Sequence, residues 1–182
     1  RLRAQNRGHY LAEPYSGQFS RLASWLSLHA DALCTSLTPN LILFGEWCAA
    51  KHSLSYDRLP DWFLLFDVFD RGQQAFWSST RRNALAENVS LICVPQIAHG
   101  RFALSHIENL LATEPSRYGQ GPLEGLVVRR ESKDWCELRA KLVRADFAQT
   151  IDTHWRKRTI DWNRVHPPGA AGREIFPGRL CR

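Results

Sequence analysis

The stretch Trp62-Phe63-Leu64-Leu65-Phe66-Asp67-Val68-Phe69 is an apolar run broken by a single carboxylate, and it decides the fold class. A short run of this kind, rich in aromatic residues, predicts a largely buried β-strand. The turn signal Asp70-Arg71-Gly72 follows it, so residues 74–77 are expected to pair back as a hairpin. Strict alternation along the strand would place Phe66 and Asp67 on opposite faces.

Helices and strands interleave on both sides of this hairpin. Apolar residues at spacings of three and four predict a helix between Phe19 and Leu33. Further strands are expected at 41–47, 91–94, 124–130 and 135–143, and further helices at 78–87, 103–112 and 147–158. Several strand pairs lie too close in sequence for crossover helices, so the sheet should be largely antiparallel in an α+β domain.

Composition and charge limit the class of protein. The chain has 182 residues with 44% hydrophobic side chains, which suits one folded domain. The apolar runs are far shorter than the roughly 20 residues that span a bilayer, so no membrane partner is expected. Five widely spaced cysteines with no C-x-x-C pair argue against a disulfide framework or zinc ribbon and favour a reducing, cytoplasmic location.

The net charge of +6 is concentrated at one end of the chain. Residues 154–182 hold seven Arg or Lys against two acidic side chains, whereas the body is nearly balanced. Such an end suits a polyanionic partner, and a solvated tail without a partner explains it equally well. Because Pro167-Pro168-Gly169 breaks the pattern, we expect a domain at 1–158 and a basic tail or linker at 159–182.

Charged residues stand inside or beside the predicted strands where apolar ones are usual. Glu46 lies within Phe44-Gly45-Glu46-Trp47 and needs either a ligand or a neighbouring arginine, because desolvating a lone carboxylate is costly. Glu124 opens a strand after a Gly/Pro loop and is well placed to hold Mg²⁺ or a ligand hydroxyl. Arg139 and Lys141 share one strand face, either to bind a polyphosphate or as a basic, solvent-facing edge.

The order of these segments resembles the motif series of the covalent nucleotidyltransferases, which include ATP-dependent DNA and RNA ligases and mRNA capping enzymes. It is closest in form to RNA ligases of the repair and editing type, over about residues 1 to 145. The segments that carry the resemblance are Asn6-Arg7-Gly8, Phe44-Gly45-Glu46, Phe66-Asp67, Glu124-Gly125-Leu126-Val127-Val128 and Arg139-Ala140-Lys141.

The resemblance implies a fold and a reaction. The fold would be a nucleotidyltransferase (ATP-grasp-like) domain, and the reaction would join 5′-phosphate and 3′-hydroxyl RNA ends through lysyl-AMP and RNA-adenylate. ATP and Mg²⁺ or Mn²⁺ would be required, and the protein would act as a monomer. A DNA ligase or capping-type enzyme, or an inactive nucleotide- or RNA-binding relative, remains an alternative.

The resemblance also implies a role for each candidate residue. Arg7 would contact a phosphate, Glu46 the ribose hydroxyls and Phe66 the adenine ring, while Asp67 would organise the site. Glu124 would take part in catalysis through a metal or the nucleotide. Lys141 would also take part in catalysis. Arg139 and Lys141 would hold the ATP phosphates, and Arg139 departs from the lysine usual at its position.

The family's attacking lysine is missing from this series. It stands in a Lys-x-(Asp/His)-Gly motif upstream of the arginine segment, whereas the first lysine here is Lys51, in a polar loop. We therefore expect a fragment that lacks its N-terminal strands and the nucleophile, and that is inactive alone. Lys51 is interpreted as a surface residue or an RNA contact.

Overall fold

The computed structural model describes residues 2–51, 56–145 and 160–166, and it confirms the α+β class. Among these residues no helix is long and apolar enough to cross a bilayer. The helices are α1 (Leu22–Ser36), α2 (Ser79–Asn88) and α3 (Leu104–Thr113), with a 3₁₀ turn at Gly17–Phe19. The strands are β1 (Leu41–Trp47), β2 (Phe63–Asp70), β3 (Ala75–Trp77), β4 (Ile92–Cys93), β5 (Gly125–Glu131) and β6 (Trp135–Val143).

All six strands form one sheet in the order β1-β2-β3-β6-β5, with β4 pairing beside β2. Every pair is antiparallel except β2 and β4. The short strand β3 pairs only with the end of β2, through Phe76 and Ala75, and with the start of β6, through Phe76 and Trp77. It therefore joins two antiparallel hairpins, β1–β2 and β5–β6, at one end only.

The sheet is strongly curved, as one side-chain contact demonstrates. Asp67 on β2 accepts a hydrogen bond from Arg129 on β5, although β3 and β6 lie between these strands. Three strand spacings of about 4.8 Å would separate β2 from β5 by roughly 14 Å in a flat sheet. The two side chains meet because the hairpins fold towards each other and enclose a concave face.

The main core lies on the opposite, helix-covered face. Leu65 and Val68 of β2 are fully buried there and pack with residues of α1 and α2, including Trp25, Leu33 and Leu85. Area removed from water at about 25 cal/mol per Å² makes this the principal apolar contribution to stability.

A β-bulge changes the strand faces on which Phe66 and Asp67 were predicted to lie. Between the pairs Phe44–Asp67 and Gly45–Leu65 the register shifts, which leaves Phe66 without a partner on β1. Leu65 and Val68, three positions apart, consequently both reach the core, and neither Phe66 nor Asp67 belongs to it. The expected strict alternation at this point is therefore wrong, because the sequence pattern does not reveal the extra residue.

Residues 160–166 pack against the loop that follows β1. Trp162 and Val165 form isolated bridges with Ala50 and Leu59. Asn163 is 2% exposed, and its side-chain amide donates to the Cys48 carbonyl at 2.9 Å. The rest of the predicted tail at 159–182 and the predicted helix at 147–158 lie outside the described residues, so the domain boundary stays a prediction.

Gly45 is required by close packing at the bulge. A Cβ built there would overlap the ring of Phe63, which itself packs against Trp25 with ring centroids 5.2 Å apart. We expect Gly45→Ala to lower the free energy of unfolding by about 1–3 kcal/mol, the usual cost of overpacking. The measurement is urea unfolding followed by tryptophan fluorescence.

Gly8→Ala is the matched control, since a Cβ at Gly8 meets nothing within 4 Å. It should change stability by less than about 0.5 kcal/mol. Equal effects of the two substitutions would show that the Phe63 ring moves aside at little cost.

Candidate functional site

A buried carboxylate organises the concave face. Asp67 is 3% exposed and accepts hydrogen bonds from both Arg129 and Arg139. The two arginines stand directly opposite each other on β5 and β6, so they share one face of that hairpin. Asp67 thus offsets the repulsion between two cations and fixes β2 against both strands.

Arg129 is anchored on three sides. Its guanidinium donates to Asp67, to Glu131 Oε1 at 2.5 Å and to the Trp77 carbonyl at 2.8 Å. Burial lowers the pKa of Arg129, but the hydrogen bonds to Glu131 and Asp67 outweigh burial and raise the pKa above its ordinary value. Sequence reasoning assigned Arg129 no role, although it is the first charged residue after the apolar run Leu126-Val127-Val128.

Glu131 connects this network to α2. Its carboxylate accepts from the backbone amide and the hydroxyl of Ser79, both at 2.9 Å, at the first residue of that helix. A negative charge is stabilised there by the exposed amides and the helix dipole. Glu131 therefore holds the start of α2 against the same arginine that Asp67 binds.

Arg82 supports the bulge from the core side. It is 4% exposed, and it donates to the Phe66 carbonyl at 2.8 Å and to the Asn83 side chain at 2.9 and 3.1 Å. The Phe66 carbonyl lies at the register shift, where a regular ladder bond is missing. Arg82, which sequence reasoning missed, satisfies that acceptor and thereby positions Phe66 and Asp67.

A second group of polar residues joins the two edges of the sheet. The Tyr56 hydroxyl donates to Glu124 Oε1 at 3.0 Å, just before β5. Burial, then Glu124 and more weakly Glu46, raises the pKa of Tyr56. Burial, then Glu46 and Glu124, also raises the pKa of Cys48 to about 12. Glu46 on β1 and Glu124 before β5 therefore lie near the same two side chains, although their strands are at opposite ends of the sheet.

Lys141 lies between these two groups along the β5–β6 hairpin. It shares a face with Arg139 two residues away and stands opposite Val127. The side chain is exposed, and it makes no hydrogen bond or ion pair with any residue that the structure describes. A step of two residues along a strand is about 7 Å, which separates Lys141 from the arginine pair on one side and from Gly125 on the other.

Two basic residues discussed above, Arg7 and Lys51, make no contact with this group of side chains within the described chain. Arg7 lies in an exposed turn between the bridged residues Gln5 and Tyr10, and no contact within the described chain joins it to the other candidates. Lys51 forms an ion pair with Asp161 at 2.9 Å, as a partly exposed residue.

The carboxylates suit one mode of metal binding. Within residues 2–51, 56–145 and 160–166, no three His, Cys, Asp or Glu side chains form a cluster that could hold a metal ion. Mg²⁺, however, is usually held by one or two carboxylates and completed by water and phosphate oxygens. Glu124, with Glu46 nearby, fits this mode and not that of an all-protein cage.

Glu131 generates a pH-dependent prediction. Burial raises the pKa of Glu131, but hydrogen bonds from Arg129 and Ser79 outweigh burial and hold it below the ordinary value. A depressed carboxyl pKa stabilises the fold above the unfolded-state pKa, and this contribution disappears as pH falls through the folded-state pKa. We expect Glu131→Gln to cost about 1–2 kcal/mol in urea unfolding at neutral pH and progressively less below about pH 4.

Glu137→Gln serves as the control, because Glu137 makes only an exposed ion pair with Arg130 at 3.3 Å. Its effect on stability should be small at every pH. A Glu131→Gln deficit of constant size down to acidic pH would contradict the ionised network described above.

A comparison with known protein families identifies the family of this chain. The model of the RNA ligase family matches residues 1–143, a range that contains every strand of the sheet and all candidates from Arg7 to Lys141. No curated protein and no solved structure matches the chain significantly. Since the match spans well over half of the sequence, this chain belongs to the RNA ligase family.

Proposed function

We propose that this domain serves an ATP-dependent RNA ligase that joins 5′-phosphate to 3′-hydroxyl RNA ends through lysyl-AMP and RNA-adenylate intermediates. The observation that carries the proposal is the concave face itself. There Asp67 holds Arg129 and Arg139 across the sheet, and Lys141 stands unpaired beside them. A face with fixed cations at one end and carboxylates beyond them suits a nucleotide, because cations can hold its phosphates and carboxylates can hold its ribose hydroxyls or a phosphate-bound metal.

Glu46 and Phe66 would bind the nucleoside. Glu46 is exposed on β1, and its carboxylate is a suitable acceptor for ribose hydroxyl protons. Phe66 lies at the bulge, half-buried and outside the core, where it can stack on adenine. Stacking of this kind contributes roughly 1–3 kcal/mol per base. Asp67 would organise this part of the site through the arginines that it holds.

The cationic end would bind the phosphates. Arg139 is tied by Nη1 to Asp67, and its guanidinium lies 3.7 Å from the centre of the Phe76 ring. Its orientation is therefore fixed before a ligand arrives, which reduces the entropy lost on binding. Lys141 adds an unpaired charge on the same face. Arg7 would have to reach this face from its exposed turn, and its role as a phosphate contact stays a proposal.

Glu124 is the residue that we propose as the metal ligand. Bound Mg²⁺ or Mn²⁺ would neutralise charge that develops on the phosphates. Tyr56 holds Glu124 through its hydroxyl at 3.0 Å and so orients the carboxylate.

The lysines of this chain do not match the family's nucleophile. There are four, Lys51, Lys133, Lys141 and Lys157, and none stands in a Lys-x-(Asp/His)-Gly sequence. We propose that none of these four lysines carries AMP. The same observation supports the second candidate function, a nucleotide- or RNA-binding relative that does not transfer AMP.

Lys141→Gln tests the phosphate-binding role. Since Lys141 has no partner among the described residues, the substitution should leave the thermal unfolding temperature unchanged. We expect it to weaken ATP binding by about 10- to 100-fold in calorimetric titration, the range for a hydrogen bond to a charged group. Adenosine binding should change little, because adenosine has no phosphates.

Lys133→Gln is the control, since Lys133 lies exposed in the turn between β5 and β6. It should bind ATP as the unmodified chain does. Equal ATP affinity in both variants would remove Lys141 from the site, and a chain that binds neither ATP nor adenosine would refute the proposed function.

The second test concerns the covalent step. With radiolabelled ATP and Mg²⁺, we expect the purified chain to acquire no AMP label. The reason is geometric: the nucleophile must lie in line with the leaving pyrophosphate, and a misplacement of about 1 Å can cost on the order of 100-fold. Label that peptide mapping assigns to Lys51, Lys133, Lys141 or Lys157 would show that the attacking group has moved within the family.

A further inference from the structure

A groove of about 410 Å³ lies between the start of α1, the start of β2 and the segment 160–166. Arg21, Trp62, Trp162, Arg164 and His166 line it, and none of them belongs to the concave-face site. Trp62 also packs against the main core, which places the groove on the helix side of the sheet.

The ionisable side chains that line the groove are basic. Two arginines and a histidine line it, and no Asp or Glu of the described ranges does. The guanidinium groups of Arg21 and Arg164 make no hydrogen bond or ion pair with any described residue, in contrast to those of Arg129 and Arg139 on the concave face. Unpaired cations that converge on one groove attract a polyanion, because a bound phosphate relieves their mutual repulsion.

Aromatic contacts hold the central arginine in place. The Arg21 guanidinium lies 4.5 Å from the centre of the Trp162 ring and 5.0 Å from that of Trp62. These cation–π contacts restrict the arginine and leave its N–H donors to a ligand. Trp162 is partly exposed, so its indole offers a flat surface beside the cations.

We propose that this groove binds one nucleotide of single-stranded RNA, with Arg21 and Arg164 on the phosphate and Trp162 stacked on the base. The combination of cations with an aromatic platform favours nucleic acid over a phosphopeptide, because every base has a face that can stack. The inference rests on the proposed function in that RNA is the substrate. The groove would hold the strand away from the ends that are joined.

The test is fluorescence anisotropy of a labelled oligouridylate over a series of salt concentrations. For R21Q/R164Q we expect the slope of log K against log salt to become shallower by about 0.7, since the two arginines contact one phosphate and each neutralised phosphate of a single strand contributes about 0.7. Trp162→Ala should weaken binding by roughly 5- to 150-fold, the range for one stacked base. Thermal unfolding of each variant checks that the fold is retained.

R71Q/R101Q is the matched control, because Arg71 and Arg101 are exposed and lie off the groove. It removes the same charge and should leave RNA affinity within about twofold of the unmodified chain. Equal losses in the two double variants would reveal a non-specific effect of net charge and overturn the inference. Inhibition by inorganic polyphosphate together with an unaffected Trp162→Ala variant would also overturn it, because base stacking would then contribute nothing.

ATP titration separates this inference from the proposed function. R21Q/R164Q should bind ATP as the unmodified chain does, because none of the residues that line the groove is a candidate ATP-binding residue. Intact ATP binding with unchanged RNA binding would overturn the groove proposal alone. Absence of ATP binding in the unmodified chain, with RNA binding that still depends on Arg21 and Arg164, would overturn the ligase proposal and leave an RNA-binding groove.

Discussion

The Asp67 carboxylate and the two arginines that it binds hold the two hairpins of the sheet together. Among the described strands, backbone pairing joins the hairpins only through β3, which pairs with each by two residues. Arg129 and Arg139 stand opposite each other, and like charges at directly opposed positions destabilise a sheet. The carboxylate removes that repulsion and at the same time closes the concave face. Folding and the construction of the candidate site therefore depend on the same contact.

The bulge in β2 links the packing of the core to the position of this site. Leu65 and Val68 must both be buried, and the extra residue between them carries Phe66 and Asp67 out of the core. Arg82 then satisfies the Phe66 carbonyl, and Glu131 holds the start of α2 to Arg129. Each polar group in this chain of contacts is buried or half-buried and has a partner, so the network specifies one geometry.

The two basic regions differ in how their cations are held. On the concave face two arginines are bound to Asp67, and a small ligand meets groups already fixed in position. In the groove Arg21 is held by aromatic rings, and its guanidinium donates to no acceptor in the described part of the chain. The first arrangement favours a compact nucleotide, whereas the second favours a longer, exposed polyanion. The proposed RNA ligase would need both kinds of recognition, because its substrates would include ATP and RNA.

The sequence by itself determined the class of the fold, most element positions and the family. Turn residues and hydrophobic spacing are local signals, so the hairpin after Phe69 and the strands that hold Glu46 and Arg139 follow from them. What the sequence did not contain was the bulge at Phe66, the partners of Arg129 and the role of Arg82. These depend on which strands meet in space. Only the tertiary structure decided that Asp67 would face arginines more than sixty positions away, because curvature comes from the packing of the whole sheet.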